Sequence, residues 1–260
     1  MKKADLKISF ALALFGFIAG FFVAQYQLEN LSAEQIESIR ESLPFLSDHL
    51  ELFGALQLFL SSFILSFAGL KLARRTGLAL PIVQSLAERK KAAVDRKGAI
   101  ASVIFGLFTA LCITGFDRFI FHPHLPMTEE LYQDLSFSRL MAGIFYGGIF
   151  EEIFMRLFIM SLIVYLLSLL VIKKKKTIPS SIYWIAIIIA AVLFAAGHFP
   201  ATQLFFGELT ALLMFRSLLL NGLGGILFGW LYWKHGLEYG IVSHMIANVS
   251  VQLIFVPLFY

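Results

Sequence analysis

The amino-acid sequence predicts an all-α protein, a polytopic bundle of about eight transmembrane helices around an intramembrane cavity. Three observations identify the chain as a membrane protein: 59% of the 260 residues are apolar, only 15% are charged, and the mean hydropathy is +0.82. Soluble globular proteins have about 45 to 50% apolar and about 25% charged residues. A water-facing domain could not bury the excess, since a chain of this length still exposes about a quarter of its unfolded surface.

Charge and cysteine content narrow the class of protein further. The formal net charge is +4, and the single cysteine excludes a disulfide scaffold. A positive net charge indicates nucleic-acid binding only where the basic residues form one face of the protein. Here they lie in short connectors between apolar runs, so no nucleic-acid partner is expected. We predict a multi-pass integral protein of the plasma (inner) membrane, with membrane lipid around it.

Seven apolar runs have the roughly 20 residues that a helix needs to cross a bilayer core of about 30 Å. The first run follows Lys2 and Lys3 but is longer than the apolar part of a signal peptide, so it is expected to be retained. We expect one membrane domain over 1–260, with three N-terminal spans in 1–121 and the chemically active helices in 139–258. The runs are 8–28, 50–73, 98–121, 139–172, 181–199, 203–233 and 238–258.

Ionisable residues inside an apolar run indicate a functional site, because each one costs roughly 2.5 to 3.5 kcal/mol at the bilayer centre. The run 139–172 contains Glu151, Glu152 and Arg156. Residues four apart share a helical face, so Glu152 can pair with Arg156, whereas Glu151 is turned about 100° away and stays available. The alternative is that these residues form a buried ion pair that serves helix packing and has no chemical role.

Two later runs carry polar pairs at the same spacing: Phe194 with His198, and His244 with Asn248. Two side-chain donors four residues apart can converge on one oxygen atom. Each pair also has a simpler interpretation. His198 could be an interfacial side chain, and His244 with Asn248 could be an interhelical hydrogen-bonding pair worth about 1 kcal/mol.

The number of spans depends on the stretch 203–233, which is interrupted at Asn221 and Gly222. The positive-inside rule places the N-terminus, the basic connector 74–97 and the four lysines 173–176 in the cytoplasm. His244 then meets the other polar groups only if the last helix starts on the far side. We therefore expect two short helices, 201–218 and 220–234, although Lys234 and His235 favour a single span.

The three polar segments EEIFMR, FAAGH and HMIAN resemble, in order and approximate spacing, the EExxxR, FxxxH and HxxxN (or HxxxB) motifs of the CPBP family. This family comprises the type II CAAX prenyl endopeptidases and their bacterial relatives, often called Abi proteins. The resemblance covers roughly residues 139–250 and implies an eight-helix intramembrane protease of the glutamate type. It implies water activation by Glu151 and His198, oxyanion stabilisation by His244 and Asn248, and supporting roles for Glu152, Arg156 and Phe194.

The expected function is hydrolysis of a peptide bond in a membrane-associated substrate, either a prenylated CAAX-type peptide or another hydrophobic or lipidated peptide. No cofactor is expected; a zinc-dependent variant with His198, His244 and a Glu as ligands is the less favoured alternative. HExxH and GxSxG sequences, typical of zinc peptidases and serine hydrolases, do not occur. A transporter or proton relay built on the Glu, Arg and His cluster and a non-catalytic membrane scaffold remain alternatives. Outside the motifs, Arg216 and Glu208 are expected to pair with each other or to lie at the interface.

Overall fold

A computed structural model describes residues 3–42, 49–128, 130–133, 136–171 and 177–260, and every regular element in these residues is helical. Within the described part of the chain, seven helices are long and apolar enough to cross a membrane. The predicted all-α class is confirmed, and the chain is a multi-pass integral membrane protein. The short elements are α2 (Ala33–Ser42), α4 (Pro81–Ala87), α6 (Glu130–Gln133) and α9 (Phe199–Phe206).

The long helices are α1 (Lys3–Glu29), α3 (Leu50–Thr76), α5 (Arg96–Phe116), α7, α8 (Ser180–Gly197), α10 (Ala211–Lys234) and α11 (Leu237–Ser250). Helix α7 is continuous and consists of Phe137–Ala142, the π-helical segments Gly143–Phe150 and Ile153–Met160, and Ser161–Val171. π-helical turns also extend α5 through Asp117–Phe121 and α11 through Val251–Phe255, after which Val256–Phe259 is α-helical. Large apolar side chains such as Ile64, Leu170 and Val192 are exposed on the outside of the bundle, as lipid contact requires.

The predicted division of 203–233 into two helices is wrong. Helix α10 runs without a break from Ala211 to Lys234. Asn221 does not interrupt it, because its Nδ2 atom donates to the Ser217 carbonyl of the preceding turn at 3.1 Å. A glycine inside a long helix costs only about 1 kcal/mol relative to alanine, so Gly222 is tolerated. The predicted segments 201–218 and 220–234 are replaced by the short helix α9 and the single helix α10.

Connector contacts show which helix ends lie together. The backbone N–H of Leu237 donates to the carbonyl of Ala79 at 3.1 Å, and His235 Nδ1 lies 2.6 Å from Asp95 Oδ2. The start of α11 therefore lies at the same end of the bundle as the basic connector 74–97. This agrees with single passes and contradicts a far-side start of the last helix. The lysines 173–176 lie outside the described residues.

A buried ion pair lies at the opposite end of the helix bundle. Asp117 is fully buried and accepts hydrogen bonds from Arg216 Nε at 2.6 Å and from the Tyr132 hydroxyl at 2.5 Å. Of the two alternatives expected for Arg216 and Glu208, pairing with each other is wrong, because Arg216 pairs with Asp117 while Glu208 is exposed. The first turns of α10 instead face the end of α5, where Asp117 supplies the counter-charge.

Small residues bring the transmembrane helices close to one another. An ideal Cβ at Gly20 of α1 would overlap the backbone of Gly54 and Ala55 in α3. On α7, an ideal Cβ at Gly143 would lie 3.0 Å from Gln252 Nε2. Close backbone approach of this kind is how helices associate in lipid. It places α7 against α11, the two helices that carry the first and last motifs.

Candidate active site

The two adjacent glutamates of α7 lie in different surroundings. Glu152 is fully buried, and its Oε1 atom lies 3.0 Å from NH1 of Arg156, which is also buried. The ion pair that the four-residue spacing predicts is therefore present. Glu151 points another way, lines a cavity and keeps 16% of its side chain exposed. One carboxylate is held by a cation, and its neighbour faces open space.

Glu152 also binds a residue of the last motif, a contact that was not predicted. His244 Nδ1 lies 2.9 Å from Glu152 Oε1, and because a carboxylate accepts, Nδ1 carries the hydrogen. The imidazole is therefore oriented with Nε2 towards Glu151, 3.8 Å from Oε2. No signal in the sequence connects the two residues, since they are 92 positions apart.

His198 presents the same kind of arrangement from the other side of Glu151. Its Nδ1 lies 2.8 Å from the carbonyl oxygen of Phe194, which can only accept, so Nδ1 is the donor. Nε2 consequently faces Glu151 Oε1 at 4.0 Å and, in the neutral ring, is an acceptor. This distance is too long for a direct hydrogen bond and matches a single water bound to both atoms at about 2.8 Å.

The Phe194 ring packs against three charged or polar site residues. Its centroid lies 4.8 Å from that of His198 and 6.0 Å from that of His244, both edge to face. The Arg156 guanidinium lies 4.8 Å above the same ring, within the range of a cation–π contact. Phe194 thus contacts both imidazoles and the cation of the ion pair.

Asn248 reaches the same region from α11. Its Nδ2 atom donates to the carbonyl of Gly143 at 2.7 Å, which leaves one amide hydrogen for another acceptor. An ideal Cβ on Gly147 would lie 2.5 Å from Asn248 Nδ2 and 3.6 Å from His244 Nε2, so these two nitrogens are within about 6 Å of each other. One oxygen that accepts from both at about 2.9 Å can span up to about 5.8 Å.

The four polar residues Glu151, His198, His244 and Asn248 line one cavity of about 410 Å³. These side chains meet although the last helix does not start on the far side, which was the condition expected from the sequence. His198 is not at the end of its span, because α9 continues the span from Phe199 to Phe206. Extension through Phe259 likewise moves His244 and Asn248 towards the middle of the last span.

Other polar residues of this cavity were not predicted from the sequence to belong to the site. Arg139, Asn221 and Gln252 line it together with Tyr146. The same signal that pointed to His198 could have found Asn221 and Gln252, since both interrupt apolar runs. A second cavity of about 490 Å³ is also lined by Glu151 and His198.

The chemistry available here is activation of a water molecule beside a site with two nitrogen donors. A carboxylate and an imidazole lone pair can share the proton of one water, and the Asn248 amide with a doubly protonated His244 can donate to one oxygen. In the described residues, no group of three or more His, Cys, Asp or Glu side chains could hold a metal ion. The expectations about zinc and cofactors stay predictions.

Comparison with known proteins agrees with the motifs. Residues 133–250 match the model of a family described as Type II CAAX prenyl endopeptidase Rce1-like. No curated protein and no solved structure shows significant similarity to the chain. The matched segment includes Glu151, His198, His244 and Asn248. Residues 133–250, a little under half of the chain, are therefore similar to the Rce1-like type II CAAX prenyl endopeptidases, a family of peptidases.

Proposed function

We propose that this protein is an intramembrane endopeptidase that hydrolyses a peptide bond with a water activated by Glu151 and His198. The observation that carries the proposal is the position of Glu151. Its two oxygens face His198 Nε2 at 4.0 Å and His244 Nε2 at 3.8 Å across a cavity. The adjacent Glu152 is occupied by Arg156 and His244. The similarity of residues 133–250 to an endopeptidase family supports the same reaction.

In the proposed reaction, a water between Glu151 and His198 gives a proton to this pair as its oxygen attacks the substrate carbonyl. The carbonyl oxygen becomes negative and accepts hydrogen bonds from Asn248 Nδ2 and from Nε2 of the doubly protonated His244. The C–N bond then breaks, and the proton held by Glu151 and His198 passes to the leaving amine. Each donor at such an oxyanion is worth about 3 to 4 kcal/mol of transition-state stabilisation.

The supporting residues act through those that touch the substrate. Glu152 orients His244, because its carboxylate accepts the Nδ1 hydrogen; in the doubly protonated ring the second hydrogen, on Nε2, then faces the cavity. Arg156 compensates the buried charge of Glu152. The Phe194 carbonyl holds Nδ1 of His198 in the same way.

The proposed substrate is a membrane-associated peptide, either prenylated and of the CAAX type or otherwise hydrophobic or lipidated. The site residues lie well inside the apolar spans, so the cavity is proposed to be intramembrane and to receive substrate from the surrounding lipid. The plasma (inner) membrane is the proposed location. Hydrolysis as written uses groups of this chain and needs no cofactor.

The test is peptide cleavage by purified protein. Wild type, Glu151→Gln and His198→Ala would be assayed on an S-farnesyl-cysteine peptide ending in Val-Leu-Ser and on the same peptide without the farnesyl group. Glu208→Gln is the matched control, because Glu208 is exposed and is not among the residues lining the cavity. Removal of a general base lowers turnover by about 10² to 10⁴-fold.

Cleavage by wild type and Glu208→Gln, with loss in the two site variants, supports the proposal. Equal cleavage by all four proteins would remove the assignment of Glu151 and His198. A loss of wild-type activity on exhaustive chelation that added zinc restores would replace the cofactor-free reaction with the zinc-dependent one. Lack of cleavage by the wild type, with ion flux or partner binding that depends on Glu151, would favour the relay or scaffold alternatives.

A further inference from the structure

The cavity extends away from Glu151 along the facing surfaces of α7 and α11. These helices run antiparallel here, because Gly147 lies against Asn248 and Gly143 lies against Gln252. We call the part of the cavity lined by Asn248, Gln252, Asn221 and Arg139 the polar arm. Starting from Glu151, the polar arm presents first Asn248, then Gln252, and Arg139 at its remote end.

The length of the polar arm sets the size of what it can hold. Arg139 precedes Glu151 by twelve residues on α7, which corresponds to at most about 18 Å at 1.5 Å per residue. An extended peptide covers about 3.3 to 3.6 Å per residue. The polar arm therefore accommodates about five residues on one side of the bond that Glu151 attacks.

The side chains along the arm suit a peptide main chain. Carboxamides donate and accept, so Asn248, Gln252 and Asn221 can pair with main-chain N–H and C=O groups whatever the sequence of the peptide. Asn221 uses Nδ2 on its own helix, and Asn248 uses one amide hydrogen on Gly143. The acceptor oxygens of both residues are left for the peptide main chain, and the second amide hydrogen of Asn248 is the one proposed to bind the oxyanion.

The remote end of the arm contains the guanidinium group of Arg139. Arg139 is half-buried and lines the cavity, and its backbone N–H donates to the side chain of Ser136, the N-cap of α7, at 3.2 Å. The positive end of the α7 dipole adds to the guanidinium charge. The carboxylate of Glu29 lies at the same end, where it accepts a hydrogen bond from Ser138. A guanidinium has five N–H donors in a planar fork, so it can bind a carboxylate in addition to its contacts within the protein.

We propose that the polar arm binds the peptide on one side of the scissile bond and that Arg139 binds a carboxylate of the substrate within about five residues of that bond. The carboxylate is either the free C-terminus or an acidic side chain. A terminal carboxylate makes the bound residues those that follow the scissile bond, and hydrolysis then releases them as a short peptide. The inference rests on the proposed hydrolase function and names a specificity-determining residue for it.

The experiment compares three forms of one farnesylated peptide ending in Val-Leu-Ser: the free acid, the C-terminal amide, and an amide with Glu in place of Leu. Each is cleaved by wild type, Arg139→Gln and Arg139→Lys, with Glu151→Gln as the inactive reference. A hydrogen bond to a charged group contributes roughly 10- to 100-fold in an equilibrium. Amidation is expected to lower kcat/KM of the wild type by this factor, and Arg139→Gln should lower the free-acid value to the amide value.

The amide peptide is the internal control for folding. Arg139→Gln is expected to cleave the amide as the wild type does, and Arg139→Lys should restore part of the preference for the free acid. Recovery of wild-type cleavage by the Glu-containing amide would identify an acidic side chain as a second source of the carboxylate. Equal cleavage of acid and amide by the wild type, or an equal loss on both in Arg139→Gln, would overturn the inference. If the wild type and Glu151→Gln cleave none of the three peptides, the hydrolase proposal itself fails.

Discussion

Substitution by Gln is expected to lower mainly Tm at Glu152 and mainly turnover at the adjacent Glu151. Glu152→Gln removes the counter-charge of Arg156, which is 2% exposed, and weakens the hydrogen bond to His244. Breaking a buried ion pair from one side costs about 3 to 5 kcal/mol. In a protein of this size, 1 kcal/mol shifts Tm by roughly 2 to 4 °C. The expected decrease in Tm is therefore about 6 to 20 °C.

Glu151→Gln should leave Tm within about 4 °C of the wild type, because Glu151 has no imidazole nitrogen within hydrogen-bonding distance and a loosely held ion pair contributes at most about 1 kcal/mol. Turnover, however, should fall by at least about 10²-fold. The assay is thermal unfolding in detergent together with peptide cleavage by the same preparations. Replacing both partners, Glu152→Gln with Arg156→Met, should recover most of the lost stability, since no unpaired charge then remains. Equal losses of Tm for Glu151→Gln and Glu152→Gln would refute the division into a paired and an available carboxylate.

Three further predictions concern other contacts. Gly147→Ala should displace the Asn248 amide, whose Nδ2 would lie 2.5 Å from the new Cβ, and should lower kcat by about 10² to 10³-fold. Gly222→Ala is the matched control, because its Cβ would meet no atom within 4 Å. A normal kcat for Gly147→Ala would contradict the proposed role of Asn248. Asp117→Asn leaves Arg216 without its counter-charge and should lower the free energy of unfolding by about 3 to 5 kcal/mol in a denaturation experiment; an unchanged value would show that Arg216 finds another partner. The hydrogen bond from His235 lowers the pKa of Asp95 below its usual value of 3.8. The stabilisation by this hydrogen bond is therefore present above pH 3.8 and is lost as the pH falls through the lower pKa of the folded protein. Asp95→Asn should make Tm measurably less sensitive to acid, and identical profiles of Tm against pH for the two proteins would argue against this contribution.

The fold was predictable from the sequence wherever apolar length decided the outcome. Each of the seven apolar runs overlaps one of the seven long helices found in the described part of the chain. The prediction failed at Asn221, where the sequence offers a polar residue beside a glycine but does not show that the amide bonds to its own helix. That contact depends on a side-chain rotamer, which a sequence pattern does not encode.

Within the site, only contacts between residues of the same helix were predictable from the sequence. The pairing of Glu152 with Arg156 follows from a spacing of four residues on one helix. The hydrogen bond of Glu152 with His244 depends on how α7 packs against α11, and that packing depends on where glycines allow the backbones to approach. Motif order indicated which residues belong together, but it could not assign His244 to both glutamates.

The π-helical segments of α7 connect the architecture of the site to the packing of α11. Glu151 and Glu152 lie between two such segments, Gly143–Phe150 and Ile153–Met160, and π-helical turns are rare and often occur at functional sites. In the first segment the carbonyl of Gly143 accepts from Asn248 of α11, so the contact that orients this amide is made by the helix that carries Glu151. In the second, the Ser161 hydroxyl donates to the carbonyl of Arg156, five residues earlier, and also lies 2.8 Å from the Tyr232 hydroxyl of α10. Neighbouring helices thus bond to the first π-helical segment and to the residue that follows the second, so the relative positions of the proposed base and oxyanion donors depend on the packing of the bundle as well as on α7.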